Sequence, residues 1–267
     1  RRAHMPAGTR AVLDARSLAA SHRRLAELLR PGFAVLDVGC GTGAITRGIA
    51  LAVAPDGRAL GLDVNGEMIE SARRAHARVP GLAFEVGDAY ALPFTAAFDI
   101  VTAARVLQWL ADPLAALRAM AAAAKPGGRV VILDFNHEKI AWTPGPPASM
   151  QSFYAAFLAW RAAAGLDNAI ADRLAALVTE AGLHESVVTS QHEVAQRGDA
   201  DFATRAGVWI HVAATRGRQM VADGAITERD RAQAEHDYRD WISERARSHT
   251  QYLLAVEGVR PYTPGGA

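Results

Sequence analysis

Short apolar runs alternate with longer amphipathic segments over the first half of the chain. The apolar runs have the length of buried strands and lie at residues 34–38, 58–64, 82–86, 97–103 and 129–135. Between them, apolar residues recur every three or four positions, which predicts helices at residues 18–29, 44–54, 66–78 and 113–124. Strands and helices that alternate at this spacing indicate βαβ units, and so a doubly wound α/β fold with a mostly parallel sheet.

The pattern changes after residue 135. Helical periodicity predicts helices at residues 149–165, 169–181, 199–223 and 227–247, and alternation predicts strands at residues 186–194 and 251–259. These two strands bring the predicted sheet to seven strands. Helical segments inserted between late strands are typical of a cap over a pocket rather than of a separate domain.

These assignments predict one domain over residues 5–267. Its ligand-binding core covers residues 17–135, the helical cap covers 136–182 and 197–247, and the last two strands lie within 183–196 and 248–260. Residues 1–4 precede Met5 and are typical of an expression-vector remnant, so they are left out of the predicted domain.

Composition narrows the class of protein. The 267-residue chain has a formal net charge of +1, without the basic excess that nucleic-acid-binding proteins usually carry. No run approaches the ~18 apolar residues of a membrane span, and the beginning of the chain lacks the apolar core of a secretory signal. Cys40 is the single cysteine, which fits a reducing compartment. We therefore expect a cytoplasmic protein with neither a membrane nor a nucleic-acid partner.

A glycine-rich turn follows the first predicted strand. The segment VLDVGCGTG, residues 35–43, has glycines at 39, 41 and 43. Glycines between a strand and a helix let a ligand lie against the backbone. Dinucleotide-binding enzymes use G-x-G-x-x-G for a pyrophosphate, and this spacing differs from that pattern. Asp37 at the mouth of the turn would repel a pyrophosphate and attract an ammonium or sulfonium.

At this point the chain resembles class I S-adenosylmethionine-dependent methyltransferases, in the broad group that includes the ubiquinone/menaquinone C-methyltransferases. The resemblance rests on five motifs in the same order: VLDVGCGTG (35–43), GLDVN (61–65), GDAYALPF (87–94), FDIVTAARVLQWLADP (98–113) and KPGGRVVILDF (125–135). It covers residues 25–135. It implies a Rossmann-like fold, S-adenosyl-L-methionine as the cofactor and S-adenosyl-L-homocysteine as the product.

The resemblance also implies roles for individual residues. Asp37 and the backbone of Gly39, Cys40, Gly41 and Gly43 would hold the methionine end of the cofactor. Asp63 would accept both ribose hydroxyls. The remaining predicted cofactor residues are Val64, Met68, Asp88 and Ala89 around the adenine, and Ala104 and Arg105 beside the methionine portion. The alternative for Asp63 and Asp88 is that they cap helices or turns.

Candidate residues for binding the molecule that accepts the methyl group follow the strand ends or lie in the predicted cap. His137, two positions after the fifth strand, is the predicted general base, although it could be a loop histidine bonded to the backbone. Gln108 and Trp109 are predicted to line a pocket. Tyr154 shares a predicted helix face with Phe157 and Arg161, and a second face carries Arg205, Trp209, Val212 and Arg216. Such faces bind a planar substrate or form a core with a polar edge. No group has metal-ligand spacing, so no metal is predicted.

These residues predict an enzyme that methylates an O, N or C nucleophile of a small-molecule metabolite, as a monomer or homodimer. The alternatives are an RNA or protein methyltransferase and a non-catalytic S-adenosylmethionine-binding protein. A nicotinamide oxidoreductase is disfavoured by the glycine spacing.

Overall fold

The computed structural model describes residues 10–262, which divide into two compact units. We call residues 10–134, 170–191 and 254–262 the sheet unit, and residues 135–169 and 192–253 the helical unit. The predicted start of the domain at Met5 lies outside the described residues.

The strands, in chain order, are β1 (Ala34–Val38), β2 (Arg58–Asp63), β3 (Leu82–Val86), β4 (Phe98–Ala104), β5 (Ala124–Phe135), β6 (Ala141–Thr143), β7 (His184–Ser190), β8 (Glu193–Gln196), β9 (Ser248–Gln251) and β10 (Leu253–Val259). The α-helices are α1 (Arg10–Asp14), α2 (Leu18–Ser21), α3 (Arg23–Leu28), α4 (Ala44–Val53), α5 (Gly66–Ala75), α6 (Pro113–Ala123), α7 (Ala148–Ala162), α8 (Ile170–Glu180), α9 (Phe202–Ala206), α10 (Val208–Ala214), α11 (Arg216–Ala222) and α12 (Glu228–Glu244). Short 3₁₀ turns lie at Leu107–Trp109 and His137–Lys139.

The sheet unit contains a seven-stranded sheet with the order β3-β2-β1-β4-β5-β10-β7. The pairs β1–β2, β1–β4, β2–β3 and β4–β5 are parallel, and β10 runs antiparallel to β7. All five residues of β1 are buried, as expected for a central strand. The predicted doubly wound, mostly parallel seven-stranded sheet is confirmed.

Helices cover both faces of this sheet, because successive residues of a strand point to opposite sides. Val35 packs into a core with Leu25 of α3 and Ile49 of α4. The neighbouring residue Leu36 belongs to a different core, together with Leu117 of α6 and residues of α8. Because β1–β5 run parallel, their carboxyl ends share one edge of the sheet. Doubly wound folds bind their ligands at this edge.

The helical unit combines α7 and α9–α12 with a small antiparallel sheet of order β6-β9-β8. Helix α12 begins at a capping box, in which Thr227 and Asp230 satisfy each other's backbone N–H groups. Tyr238 and Trp241 on this helix are buried. Within residues 10–262, no helix combines the length and the apolar character that crossing a bilayer requires.

The prediction of one continuous helix over residues 18–29 is wrong. The chain forms two helices, α2 and α3, separated at His22, which has φ −152° and ψ 62°. The side chain of His22 is fully buried, and its Nε2 lies 3.2 Å from the hydroxyl of Thr102 on β4. The break places a polar ring against the central sheet.

The single helix predicted over residues 199–223 is also wrong. The chain forms three short helices there, separated at Gly207 and Thr215. Thr215 has φ −116° and ψ −74°, and its hydroxyl donates a 2.6 Å hydrogen bond to the His211 carbonyl. Because the helix is broken twice, Arg205, Trp209 and Arg216 do not share one continuous helix face.

Two predicted strands and one cap boundary need correction. The predicted strand 186–194 consists of two strands, β7 in the large sheet and β8 in the small sheet. The predicted strand 251–259 begins at residue 253, and β9 before it belongs to the small sheet. Helix α8, predicted as part of the cap, belongs to the sheet unit, because its apolar side chains join the core below the sheet.

Candidate active site

The glycine turn connects β1 to α4 in a conformation that requires glycine. Gly39, Gly41 and Gly43 have φ values of 73°, 56° and 78°, which side chains rarely tolerate. A Cβ atom at Gly39 would collide with Val106, and one at Gly43 would collide with the ring of Phe84. The turn therefore presents bare backbone beside the end of β1.

Several N–H groups of this turn are already hydrogen-bonded within the protein. The N–H groups of Gly39 and Cys40 donate to the Leu62 carbonyl at 2.6 and 3.1 Å. The N–H of Gly41 donates to Asp63 Oδ2 at 2.9 Å. A phosphate-binding turn directs such groups at the ligand. These three N–H groups bind the protein's own oxygens, which argues against a diphosphate ligand.

Thr42 contributes a polar atom to the same turn. Its side chain is buried, and its hydroxyl has no hydrogen-bond partner among residues 10–262. Its carbonyl lies 3.1 Å from His76 Nε2, which anchors the turn to α5. Buried polar groups in native proteins are nearly always paired, so a ligand atom at this turn fits the hydroxyl that the protein leaves unpaired.

Asp37 is a buried carboxylate at the end of β1. It accepts a 2.7 Å hydrogen bond from the Thr46 hydroxyl at the beginning of α4. Its pKa is raised to about 7, mainly by burial and also by the charge of Asp63, whereas the bond from Thr46 acts in the opposite direction. A cation bound beside it would favour the ionised form.

Asp63 ends β2 and is oriented by two backbone groups. Its Oδ2 accepts the Gly41 N–H, and its Oδ1 accepts the Asn65 N–H at 2.9 Å. It therefore supports the local turns, as the capping alternative predicts. An ionised carboxylate has about four acceptor positions, so these two bonds orient the group while leaving capacity for two hydroxyls of a ligand.

The predicted adenine residues follow β2 and β3. Val64 is 75% exposed, and Met68 is half-buried in the first turn of α5. Asp88 is exposed and accepts the Tyr90 N–H at 2.9 Å, and half-buried Ala89 lies between these two residues. Exposed apolar side chains next to an acceptor carboxylate suit a flat heterocycle with an amino group.

Arg105 follows β4 in the left-handed conformation, with φ 63°. Its N–H donates to the Leu133 carbonyl at 2.6 Å, and its Nη1 donates to the Ser21 carbonyl at 3.2 Å. Left-handed backbone at a bulky residue is strained and occurs often at functional sites. The pKa of His22 is lowered to about 3, mainly by burial and also by the charge of Arg105. Ala104, the last residue of β4, is half-buried.

Gln108 and Trp109 lie in the 3₁₀ turn after Arg105. Gln108 is buried, and its N–H donates to Asp134 Oδ2 at 3.1 Å. Its side-chain amide donates to the Arg105 carbonyl at 3.3 Å. These bonds link Gln108 to the segment that carries Arg105, while Trp109 is half-buried.

His137 belongs to the helical unit and is buried. The Asn168 carbonyl accepts its backbone N–H at 2.7 Å, and the Tyr154 hydroxyl donates to its carbonyl. Its ring lies 5.2 Å from that of Phe135. Burial, together with the charge of Arg161, holds the pKa of the imidazole well below its ordinary value. The ring is therefore neutral at physiological pH.

The other residues of the helical unit that are predicted to bind the methyl acceptor differ in environment. Tyr154 and Trp209 are buried, with ring centroids 4.7 Å apart at nearly right angles. Arg205 is partly exposed, lies within 3.7 Å of Asp199 and 3.4 Å of Asp201, and donates to a backbone carbonyl. The structure thus groups Tyr154 with Trp209 and gives Arg205 contacts that stabilise α9.

Comparison with known proteins identifies the family. A family model described as a methyltransferase domain matches residues 29–179, more than half of the chain. The chain belongs to this methyltransferase family. The match contains the glycine turn, Asp63, Asp88 and Arg105, and it confirms the resemblance that the five motifs predict.

Curated relatives of this methyltransferase match it over part of their length. An uncharacterized 37.1 kDa protein in transposon Tn4556 of Streptomyces fradiae is 42% identical over 104 residues, covering 39% of this chain and 30% of the relative. The ubiquinone/menaquinone biosynthesis C-methyltransferase UbiE of Burkholderia vietnamiensis is 40% identical over 121 residues, covering 43% of this chain and 47% of the relative. The chain therefore spans less than half the length of these two relatives.

A solved structure extends the likeness to most of the methyltransferase chain. A phosphoethanolamine N-methyltransferase of Haemonchus contortus, in complex with phosphomonomethylethanolamine and S-adenosylhomocysteine, has a TM-score of 0.55 at 16% identity. The likeness covers 91% of this chain and 52% of that chain. At this identity it shows a shared fold.

Some residues at the site of the methyltransferase were missed by sequence reasoning. Val86 is paired with Asp63 in the register of β2 and β3 and is 56% exposed. His22 contacts Thr102 on β4, and the charge of Arg105 helps to lower its pKa. The position of Val86 at a strand's carboxyl end was an available signal. The position of His22 depends on a helix break that apolar periodicity does not reveal.

Proposed function

We propose that this protein is an S-adenosylmethionine-dependent methyltransferase that acts on an O, N or C nucleophile of a small molecule. The orientation of Asp63 carries the proposal. Backbone N–H groups from the glycine turn and from the beginning of α5 hold its carboxylate beside bare backbone. This arrangement suits a ribose diol whose attached chain lies along the turn.

The residues of the sheet unit fit this cofactor. The turn has no room for side chains at Gly39 and Gly43, and the hydroxyl of Thr42 has no partner among residues 10–262. Asp37 and the turn would bind the methionine end, and Asp63 would bind the ribose. Val64, Met68, Asp88 and Ala89 would bind the adenine, and Ala104 and Arg105 would bound the methionine portion.

When bound, the cofactor supplies a methyl group on a positively charged sulfur, which keeps the electrons of the broken carbon–sulfur bond. The chain must align the acceptor and exclude water. Alignment alone is worth on the order of 7–11 kcal/mol in well-oriented systems. In the sheet unit we assign this task to Gln108 and Trp109.

Isothermal titration with S-adenosylmethionine and with NAD tests the cofactor assignment. We expect binding of the first only. Asp63→Ala is expected to weaken binding of S-adenosylmethionine by about 1.5–3 kcal/mol, the range for hydrogen bonds to a charged group. Asp56→Ala, which removes an exposed carboxylate from the turn before β2, is the matched control and leaves affinity unchanged. Equal affinity of Asp63→Ala and wild type would show that the ribose does not bind at Asp63.

A screen with methyl-labelled S-adenosylmethionine identifies the acceptor. The full chain is incubated separately with a metabolite extract, with RNA and with protein, and label transfer is measured by mass spectrometry. Transfer to a small molecule supports the proposal. Label in RNA or protein favours the macromolecular alternative, and tight cofactor binding without any transfer favours a non-catalytic binding protein.

A further inference from the structure

Several aromatic rings and two arginines are buried inside the helical unit. Tyr154, Phe157 and Arg161 lie on α7, Trp209 lies on α10 and Arg216 lies on α11; we call these five residues the aromatic–arginine cluster. The Trp209 ring is 4.7 Å from Tyr154 and 5.4 Å from Phe157, measured between centroids. The guanidinium carbon of Arg161 lies 5.6 Å from the centroid of Phe157. All five side chains are buried.

Hydrogen bonds orient both guanidinium groups of the cluster. Arg161 donates to Asn168 Oδ1 at 2.8 Å, and Arg216 donates to Gln219 Oε1 at 3.0 Å. Asn168 in turn donates to the Leu158 carbonyl at 3.0 Å, which holds it against α7. Both guanidinium groups are therefore held in place by amide side chains, and oriented guanidinium groups bind planar anions through parallel N–H groups.

Trp209 provides a second, independent observation. Its side chain is 3% exposed, and its Nε1–H has no acceptor among residues 10–262. A buried donor left without an acceptor destabilises the fold. An acceptor atom on a ligand placed among these rings would remove this penalty.

The electrostatics of the cluster favour an anion. Burial, together with the charge of Arg161, lowers the pKa of Arg216 to about 10. The same charge helps to keep His137 neutral, so the imidazole adds no second cation. Burial raises the pKa of the Tyr154 hydroxyl, the charge of Arg161 opposes this shift, and the charge of Glu138 adds to it. An anionic ligand would lie close to two positive charges in an environment of low polarity, where such attraction is strong.

We propose that the aromatic–arginine cluster binds a planar aromatic anion, with its ring against Tyr154, Phe157 and Trp209 and its carboxylate at Arg161 and Arg216. The proposal rests on the proposed function only in taking this anion as the methyl acceptor.

Matched acid and ester probes test this inference without the cofactor. We titrate the full chain with 1-hydroxy-2-naphthoate and 4-hydroxybenzoate, each against its methyl ester. The acid of at least one pair is expected to bind at least tenfold more tightly than its ester. Equal binding of acid and ester in both pairs, or no binding of either acid, overturns the proposal without any variant.

Variants locate the binding site. Arg216→Gln is expected to remove the preference for the acid, whereas Arg218→Gln, an exposed arginine on the same helix, keeps it. Trp209→Phe retains a ring without the N–H and is expected to weaken binding of the acid at least threefold. Circular dichroism confirms that each variant is folded. Equal losses in Arg216→Gln and Arg218→Gln would overturn the proposal.

Titration of the same protein with S-adenosylmethionine separates the two hypotheses. Binding of S-adenosylmethionine with no preference for the acid overturns only the acceptor class. A preference for the acid without binding of S-adenosylmethionine supports an anion site and overturns the proposed function.

Discussion

Asp37 places a buried carboxylate beside the part of the glycine turn where we propose that a positively charged ligand binds. Its pKa of about 7 means that the free protein holds this group partly protonated at neutral pH. Because the pKa is raised from 3.8 to about 7, protonation of this group makes the unliganded fold more stable as the pH falls from about 7 to about 4, and not further below that. A cation bound beside the carboxylate requires the ionised form, so ligand affinity changes in the opposite direction.

We expect the affinity for S-adenosylmethionine to fall about tenfold as the pH is lowered from 8 to 6, because about nine-tenths of a group with a pKa of 7 is protonated at pH 6. Isothermal titration across this range measures the effect. Asp37→Asn is expected to bind more weakly and to lose this dependence, whereas Asp56→Asn keeps it. A flat profile in the wild type would contradict a role of ionised Asp37 in binding.

His137 is proposed as the group that receives a proton from the acceptor. Its low pKa makes it a weak base, so we expect only acidic acceptors to depend on it. On an acceptor found by the labelling screen, His137→Ala should lower kcat about 10²–10⁴-fold if it is a general base and leave the affinity for S-adenosylmethionine within twofold. His137→Gln, which retains a polar side chain, controls for packing. Full activity of both variants would exclude this role.

Sequence reasoning at the residue scale placed Asp37 and Asp63 at strand ends, Asp37 from the pattern itself and Asp63 from the family resemblance. It did not locate the positive φ of Arg105 or the contact of His22 with Thr102. Both depend on pairs of residues far apart in the sequence, and one chain without its fold gives no signal for such pairs.

At the element scale, the unit of strand, glycine turn and helix was predicted closely. The structure places β1 at Ala34–Val38 and begins α4 at Ala44, directly after Gly43. The helices of the second half were predicted less well. Apolar periodicity continues through Gly207 and Thr215, but the structure has separate helices on either side of each of these residues. Alternation likewise could not distinguish a strand of the large sheet from one of the small sheet.

The glycine turn allows a comparison between two positions with similar backbone. Gly43 and Gly32 have φ values of 78° and 85°, but a Cβ at Gly43 would meet Phe84 whereas one at Gly32 would meet nothing within 4 Å. Alanine at either position pays about 1–2 kcal/mol for the left-handed conformation. Overpacking adds about 1–3 kcal/mol at Gly43.

We therefore expect Gly43→Ala to lower the free energy of unfolding by at least about 1 kcal/mol more than Gly32→Ala. Urea denaturation followed by circular dichroism measures both values. Gly43→Ala should also weaken binding of S-adenosylmethionine, and Gly32→Ala should not. Equal stability of the two variants would mean that Phe84 moves aside readily.

At the scale of the whole molecule, Glu257 on β10 connects distant parts of the sheet unit. The carboxylate is 2% exposed and binds Arg24 of α3 at 2.8 Å and Arg129 of β5 at 3.0 Å. Arg24 also pairs with exposed Glu27 at 3.0 Å. Removing one member of a buried ion pair usually destabilises a protein by about 3–5 kcal/mol. Because both arginines are partly exposed, we expect a smaller loss here.

Glu257→Gln is expected to lower the free energy of unfolding by about 2 kcal/mol, and so to lower Tm by about 4–8 °C in a protein of this size. Glu27→Gln removes the other carboxylate on Arg24 and is expected to change stability by less than about 1 kcal/mol, as surface pairs do. Differential scanning calorimetry compares the two variants. Equal losses would show that the buried carboxylate is no more important than the exposed one.

The order of strands in the large sheet has a consequence for how the protein is made. β10 lies between β5 and β7, although it follows both of them in the chain. While the ribosome is still translating the codons before residue 253, β7 has been synthesised but its neighbour in the sheet does not yet exist. A nascent chain halted at that stage would expose the edges of β5 and β7 together, and it would be a natural target for chaperones until the missing strand emerges.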